Sequence, residues 1–365
     1  MRRVDTTGVV PIFDKGESSR VDVRLLVEPP PWIEPAPGLR SLARKLAPAF
    51  YLDVGNVCNQ RCLYCAVPRE KLYRTTLTAA LDPPKGAVLR GFSTVALIGG
   101  EPTIWPHLHA ALSRLPELGV SQVIVTTNGL MLAYEAELDR MLASGVSVFG
   151  VSLDDFDPQR QRRLSLREDN PELLERAVGH LSTADADTYF YTVVTSELCG
   201  RGEWFGRQAA SVASRFKRTP AFFLAALKPL EEAARQADRL ELSLGDAIAE
   251  VRGVARGLRR DDGPAPTGQD GRGGPEGRGR GAATLAVRDF PLCTLGELLP
   301  HSMDLLHRNA PLDLDSGRVE PSCLASDRTF VEACGQCAVQ AWCPAIYRTC
   351  LARFGAGGFR SVEIP

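Results

Sequence analysis

From Phe50 to Ala226 the sequence repeats one unit six times, a short apolar run followed by a longer, more polar stretch. The runs are FYLDV (50–54), TVALI (94–98), QVIVT (122–126), SVFGVS (147–152), YFYTVVT (189–195) and AFFLAA (221–226). Their length and their content of β-branched and aromatic residues suit buried parallel strands. Helical patterns fall between them at 105–117, 134–143, 171–184 and 203–217, the third opening on Asn170 and Pro171, a cap residue before a first-turn proline. This alternation predicts an α/β fold, a parallel sheet whose right-handed crossovers curl it into a partial (βα)6 barrel over residues 50–258. Functional loops then belong at the carboxyl ends of the strands.

The flanks read differently. Residues 1–49 carry prolines at 29, 30, 31, 35, 37 and 48 and are expected to lie on the body as an extended arm, because proline donates no ladder hydrogen bond and disfavours helix. Helical character continues through 230–258 and then stops. Residues 259–284, dominated by DDGPAPTGQDGRGGPEGRGRG (261–281), read as a flexible linker; their Arg-Gly content hints at RNA, but interleaved acids and missing aromatics favour the linker. Residues 285–365 hold six cysteines and form a second, small module that a metal centre would brace.

Lys and Arg total 43 against 44 Asp and Glu, so no excess points to nucleic acid. No apolar run approaches the ~20 residues of a spanning helix, and a soluble cytoplasmic protein without a membrane partner is expected. In such a reducing compartment clustered cysteines read as metal or cluster ligands rather than disulfides. Nine of the ten fall into a front group and a back group, with Cys199 alone as an interior thiol that could face substrate.

The front group is CNQRCLYC (58–65), three thiols directly after the first strand. Thiolates select zinc, copper(I) or iron–sulfur clusters. Structural zinc closes on four protein ligands, whereas a 4Fe-4S cluster takes one thiolate per iron, so three leave one iron open. A zinc knuckle completed by a distant ligand is the alternative. With Tyr64 before its last cysteine, the C-x3-C-x2-C run resembles the radical S-adenosylmethionine (radical SAM) superfamily, over roughly residues 50–226. GGEPT (99–103), TTNGL (126–130) and VSLDD (151–155) follow the next three strands in the order the resemblance requires, although singly they read as turn or cap chemistry. Gly99 and Gly100 would let backbone approach a ligand, and Glu101 suits an ammonium group.

The resemblance implies that Cys58, Cys62 and Cys65 hold the catalytic 4Fe-4S cluster and that S-adenosyl-L-methionine occupies the open iron. It assigns S-adenosylmethionine contacts to Tyr64, Gly99, Gly100, Glu101, Pro102, Thr127, Asn128, Ser152 and Asp154, with Glu101 on the methionyl amino group and Ser152 and Asp154 on the ribose and methionyl parts. It also implies reductive cleavage to a 5′-deoxyadenosyl radical that takes hydrogen from substrate, and a one-electron donor such as flavodoxin or ferredoxin.

The back group includes CGQCAVQAWC (334–343), a C-x2-C-x5-C run that resembles the SPASM and twitch auxiliary-cluster domains. It departs from the full seven-cysteine pattern, which favours one auxiliary 4Fe-4S cluster over two. Its expected ligands are Cys293, Cys334, Cys337 and Cys343, with Cys323 as substitute or ligand of a partial second centre; zinc is the alternative metal. Cys350 is a further ligand or a buried small hydrophobe. His107 and His109 read as ordinary residues, and Lys228 is one of several cations near the mouth within reach of a carboxylate. The implied function is a maturase that modifies a ribosomally made peptide or protein. Small-molecule or cofactor biosynthesis, such as the nucleotide cyclase of molybdopterin biosynthesis, is the alternative within the class, and a non-catalytic zinc or redox scaffold the alternative outside it.

Overall fold

The computed structural model describes residues 8–9, 20–81, 91–259, 283–313 and 327–364. All six expected strands form. After β1 (Arg20–Leu26) come β2 (Ala49–Asp53), β3 (Thr94–Ile98), β4 (Gln122–Thr127), β5 (Val146–Ser152), β6 (Asp187–Val194) and β7 (Ala221–Ala226). From β2 to β7 each strand is parallel to the next, which makes a curled α/β half-barrel, the partial (βα)6 barrel expected.

The strands bury both faces, and the period of two sorts them. Phe50, Leu52, Val95, Leu97, Val123, Val125, Phe149, Phe190, Phe222 and Leu224 pack outward with the helices. Tyr51, Ala96, Ile124, Val148, Tyr189 and Phe223 point into the lumen. The expected helices appear as α3 (Leu108–Arg114), α4 (Glu135–Ala143), α6 (Asn170–Thr183) and α7 (Gly202–Ala213), after α1 (Leu39–Leu46) and α2 (Leu77–Leu81). A further helix, α5 (Pro158–Ser165), was not anticipated, although Asp157-Pro158 is the same cap-then-proline signal; Asp157 accepts from the backbone of Gln159 and Arg160. The 230–258 stretch breaks into turns at 231–235 and 237–240 before α8 (Leu244–Arg259).

Two expectations need correction. The first 49 residues are no extended arm where the structure describes them: β1 joins the sheet antiparallel to β2, and α1 plugs the lumen with Leu39, Ala43 and Leu46. The prolines at 29–37 lie between these two elements, so they break neither. Nor is the tail a detached module. β8 (Thr284–Arg288) extends the barrel parallel to β7, and β9 (His307–Asp313) pairs antiparallel with β1, so the tail completes both sides of the sheet. Leu285 and Val287 pack outward and Ala286 inward, continuing the alternation of the six strands before them. The linker at 261–281 and Cys323 lie outside the described residues. Among the described residues no helix is long and apolar enough to cross a membrane.

Helices α7 and α8 pack backbone to backbone through glycines. A Cβ on Gly206 would sit 2.3 Å from the Val254 carbonyl oxygen and 2.8 Å from the Gly257 Cα. Gly206→Val is therefore expected to force the helices apart and lower unfolding free energy by about 1–3 kcal/mol, read from the urea midpoint. An unchanged midpoint would show that they have room to part.

Candidate functional site

The chain leaves β2 through a loop that is stapled to itself. Asp53 Oδ1 accepts from the Gly55 N–H (2.7 Å) and Oδ2 from the Tyr73 hydroxyl (3.1 Å). Buried Asn56 donates to the Pro68 and Lys71 carbonyls (2.8 and 2.9 Å) and accepts from the Tyr73 N–H (2.8 Å), tying the beginning of the loop to its end. Cys58, Cys62 and Cys65 lie between, as free, partly exposed thiols. On one flank the Leu63 N–H donates to Leu164 O (2.9 Å) and Arg167 to Asn59 O (3.0 Å), so α5 and the turn after it carry that edge of the loop.

On the other flank the GGE segment is the bed of the loop. Gly100 N–H donates to Gly55 O (2.6 Å) and Glu101 N–H to Val57 O (3.0 Å). A Cβ on Gly99 would stand 2.3 Å from Gly55 O, and one on Gly100 would stand 2.4 Å from Val57 O. The glycine pair lets the backbone of the thiol loop approach closely.

Glu101 is buried, and its carboxylate accepts four hydrogen bonds, from Thr103 N (3.0 Å), Thr103 Oγ1 (2.5 Å), Thr127 Oγ1 (2.7 Å) and Asn128 N (2.6 Å). Burial raises its pKa, and these donors work against the rise. Pro102 is buried at the head of the following turn. Asn128 then reaches the thiol loop: its amide donates to Asn59 Oδ1 (2.7 Å) and lies 3.8 Å from Cys58 Sγ. At the end of β5, Asp154 accepts from the Tyr64 hydroxyl and from Gln161 Nε2 (3.2 Å), which connects the aromatic residue of the thiol motif to the fourth expected strand. Burial pushes Asp154 up to about 7. Ser152 stands beside it at the end of β5, partly exposed and opposite Tyr191 of β6.

The structure thus brings Cys58, Tyr64, Glu101, Thr127, Asn128 and Asp154 into one bonded network. Sequence reasoning missed Asn56, Asn59, Gln161 and Arg167, which position it; as single amides and an arginine without motif spacing they carry no signal of their own.

Burial drives the Cys58 thiol up to about 11, with Glu101 adding to it, and lifts Cys62 well above the ordinary thiol value. As thiolates these sulfurs would need a cationic partner, which iron could supply. Gln60 N–H (3.4 Å) and the Asn128 amide supply donors to Cys58 Sγ, as suits a bound thiolate. The donor set fits an iron–sulfur cluster. Among the described residues no three His, Cys, Asp or Glu side chains converge where a single metal ion would sit.

In the tail, burial raises the pKa of Cys293, with Cys334 and Cys337 adding to it, and burial pushes Cys343 up to about 12, with Cys293 adding to it. Backbone N–H groups point at two of the sulfurs, Leu292 at Cys343 (3.5 Å) and Val362 at Cys337 (3.4 Å). Cys350 is not brought to them. It is buried in α9 (Arg348–Phe354), packed with Ile346 and Tyr347, and burial followed by Glu241 raises its pKa to about 12. Cys199 is exposed, His109 hydrogen-bonds to Glu137 (2.7 Å), and Lys228 is ion-paired with Asp289 (2.9 Å).

A Glu101→Gln substitution puts an amide NH2 where four donors converge. It should cost about 1–3 kcal/mol of stability in the metal-free protein, measured by chemical denaturation; wild-type stability would show that the carboxylate does not hold the network.

Residues 52–198 match the Radical SAM superfamily. GTP 3′,8-cyclase 1 of Mycobacterium tuberculosis is 28% identical over 179 residues, 45% of this chain and 49% of that protein. GTP 3′,8-cyclase of Mycolicibacterium smegmatis is 36% identical over 130 residues, 32% of this chain and 34% of that protein. The chain thus spans about half or less of the length of these curated relatives. The crystal structure of Streptococcus suis SuiB bound to S-adenosylmethionine shares the fold, with a TM-score of 0.54 and 14% identity over 86% of this chain and 76% of SuiB. With the thiol loop, its glycine bed and the half-barrel beneath them, residues 52–198 form a domain that matches the radical SAM superfamily.

Proposed function

We propose that the protein is a radical SAM enzyme with one auxiliary iron–sulfur cluster, acting on a ribosomally made peptide or protein. The observation that carries the catalytic part is the three-thiol loop bonded to Glu101, Thr127, Asn128 and Asp154 through Asn128 and Tyr64. In this reading Cys58, Cys62 and Cys65 would ligate a 4Fe-4S cluster, and Gly99, Gly100, Glu101, Pro102, Thr127, Asn128, Ser152, Asp154 and Tyr64 would hold S-adenosylmethionine. When bound, the reduced cluster and S-adenosylmethionine supply a hydrogen-abstracting carbon radical by one-electron cleavage of the sulfonium.

The chain's own residues bind and orient. Cys58, Cys62 and Cys65 would hold the cluster as thiolates, the iron supplying the positive charge that buried Cys58 and Cys62 need to ionise. The Asn128 amide and Gln60 N–H spread charge away from the Cys58 sulfur. Glu101 would offer its carboxylate, already held by Thr103, Thr127 and Asn128, to the ammonium group. Asp154 offers an acceptor whose partners, Tyr64 and Gln161, are neutral, so a ribose hydroxyl competes with them on equal terms. A one-electron donor such as flavodoxin or ferredoxin supplies the reducing equivalent.

The peptide substrate is supported by the tail, whose C-x2-C-x5-C run resembles the auxiliary-cluster domains. A second reading, a small-molecule substrate such as a nucleotide, is supported by the relatives named GTP 3′,8-cyclase. Incubation with GTP and with short peptides encoded beside the gene, followed by mass spectrometry, separates the two.

Anaerobic reconstitution tests the metal assignment. Wild type should hold about 8 iron per chain and release 5′-deoxyadenosine under dithionite. Cys58→Ala should lose about 4 iron and all nucleoside, Cys293→Ala about 4 iron, and Cys350→Ala none. A fully loaded wild type that forms no 5′-deoxyadenosine would defeat the enzyme reading.

A further inference from the structure

The thiol loop buries an amide nitrogen that has nothing to bond. Gln60, midway between Cys58 and Cys62, is 5% exposed, and among the described residues its Nε2 makes no hydrogen bond. The other end of the same amide is engaged, since Oε1 accepts from the Cys62 thiol at 3.3 Å. Burying an amide NH2 without an acceptor is unfavourable, and an apolar side chain of the same length would avoid it.

This amide lies among sulfurs. The Gln60 N–H donates to Cys58 Sγ at 3.4 Å, so one residue touches two of the three thiols, one with its backbone and one with its side chain. Donors are spread unevenly over the three. Cys58 has the Gln60 N–H and the Asn128 amide (3.8 Å), whereas Cys65 faces the Val67 carbonyl (4.0 Å), which can only accept, and Cys62 meets the Gln60 oxygen.

That last contact holds only while Cys62 keeps its proton. Cysteine ligates a metal as the thiolate, and a thiolate 3.3 Å from an amide oxygen sets two acceptors against each other. A half-turn about the last side-chain bond of Gln60 exchanges the two ends of the amide. The same movement removes the repulsion and gives the idle nitrogen a partner.

We propose that Gln60 is a positioning residue for the front cluster: with Cys62 bound to iron, its amide is turned over and Nε2 donates to the Cys62 sulfur. Hydrogen bonds to ligating sulfurs draw off negative charge and so favour the reduced cluster, which carries one more electron. Gln60 therefore eases reduction, through its backbone at Cys58 and its side chain at Cys62. The inference rests on the proposed 4Fe-4S reading only in treating Cys62 as an iron-bound thiolate.

Gln60→Met tests it, because methionine keeps the length of the side chain and brings no donor. Metal-free Gln60→Met should unfold at the wild-type urea concentration or above, having lost an unpartnered buried amide. After anaerobic reconstitution it should bind as much iron as wild type. Its front cluster, recognised by the reduced-state paramagnetic signal that Cys58→Ala lacks, should show a reduced-to-oxidised ratio about tenfold below wild type at the same applied potential. With glutamine side-chain nitrogen isotopically labelled, pulsed paramagnetic resonance of that signal in wild type should reveal a nitrogen coupling, absent from Gln60→Met. A lower urea midpoint would mean that the amide is already partnered in the metal-free protein. An unchanged ratio would mean that Gln60 only fills space, and a wild-type signal without the coupling that the nitrogen stays turned away; each of these three results overturns the proposal. A wild type that takes up no iron at the front thiols and forms no 5′-deoxyadenosine fails the 4Fe-4S reading itself, whereas a loaded, active wild type with an unchanged ratio in Gln60→Met fails the Gln60 proposal alone.

Discussion

The Glu101 carboxylate is the fixed point of the active end of the molecule. Through Thr103, Thr127 and Asn128 it joins the segments that leave β3 and β4, and its own N–H bonds to Val57 in the thiol loop. A buried carboxylate is tolerable only where donors converge on it, and here their convergence sets the spacing of two strand ends and the height of the loop above them. Asn128 passes that placement on to Asn59, and the Tyr64–Asp154 contact fixes the opposite side. The loop's three sulfurs therefore ride on interactions with three successive strand ends rather than on their own backbone.

This arrangement was partly legible in the sequence. The strand rhythm and the order of GGEPT, TTNGL and VSLDD after successive strands located Glu101, Asn128 and Asp154, since such loops sit at carboxyl ends by topology. What each side chain does was not legible. The glycine pair reads as a ligand approach in sequence, yet a Cβ there meets the backbone of residues 55–57, a contact between segments some forty positions apart. Asn56 and Arg167 act through backbone carbonyls, which leave no trace in residue type.

The flanks misled for a related reason. Proline content marks where the chain cannot donate hydrogen bonds, and in residues 29–37 it correctly marks a break, but it says nothing of β1 and α1 on either side. Thr284 to Arg288 has the alternation of a strand, but its pairing with β7 spans the intervening α8 and the linker, a separation no local pattern reveals. Cys350 and Cys293 are equal as thiols; only the packing of α9 with Ile346 and Tyr347 separates the first from the other tail cysteines.

Because β8 and β9 come from the tail, the barrel stays incomplete through most of synthesis. Until residues 284–313 emerge, β7 lacks its outer neighbour and β1 lacks β9. Pairings of such long sequence separation form late and slowly. Arg288 arrives with the same segment, as does the first tail cysteine, Cys293. Closure of the lumen and arrival of Arg288 and Cys293 are therefore one event in the life of the nascent chain.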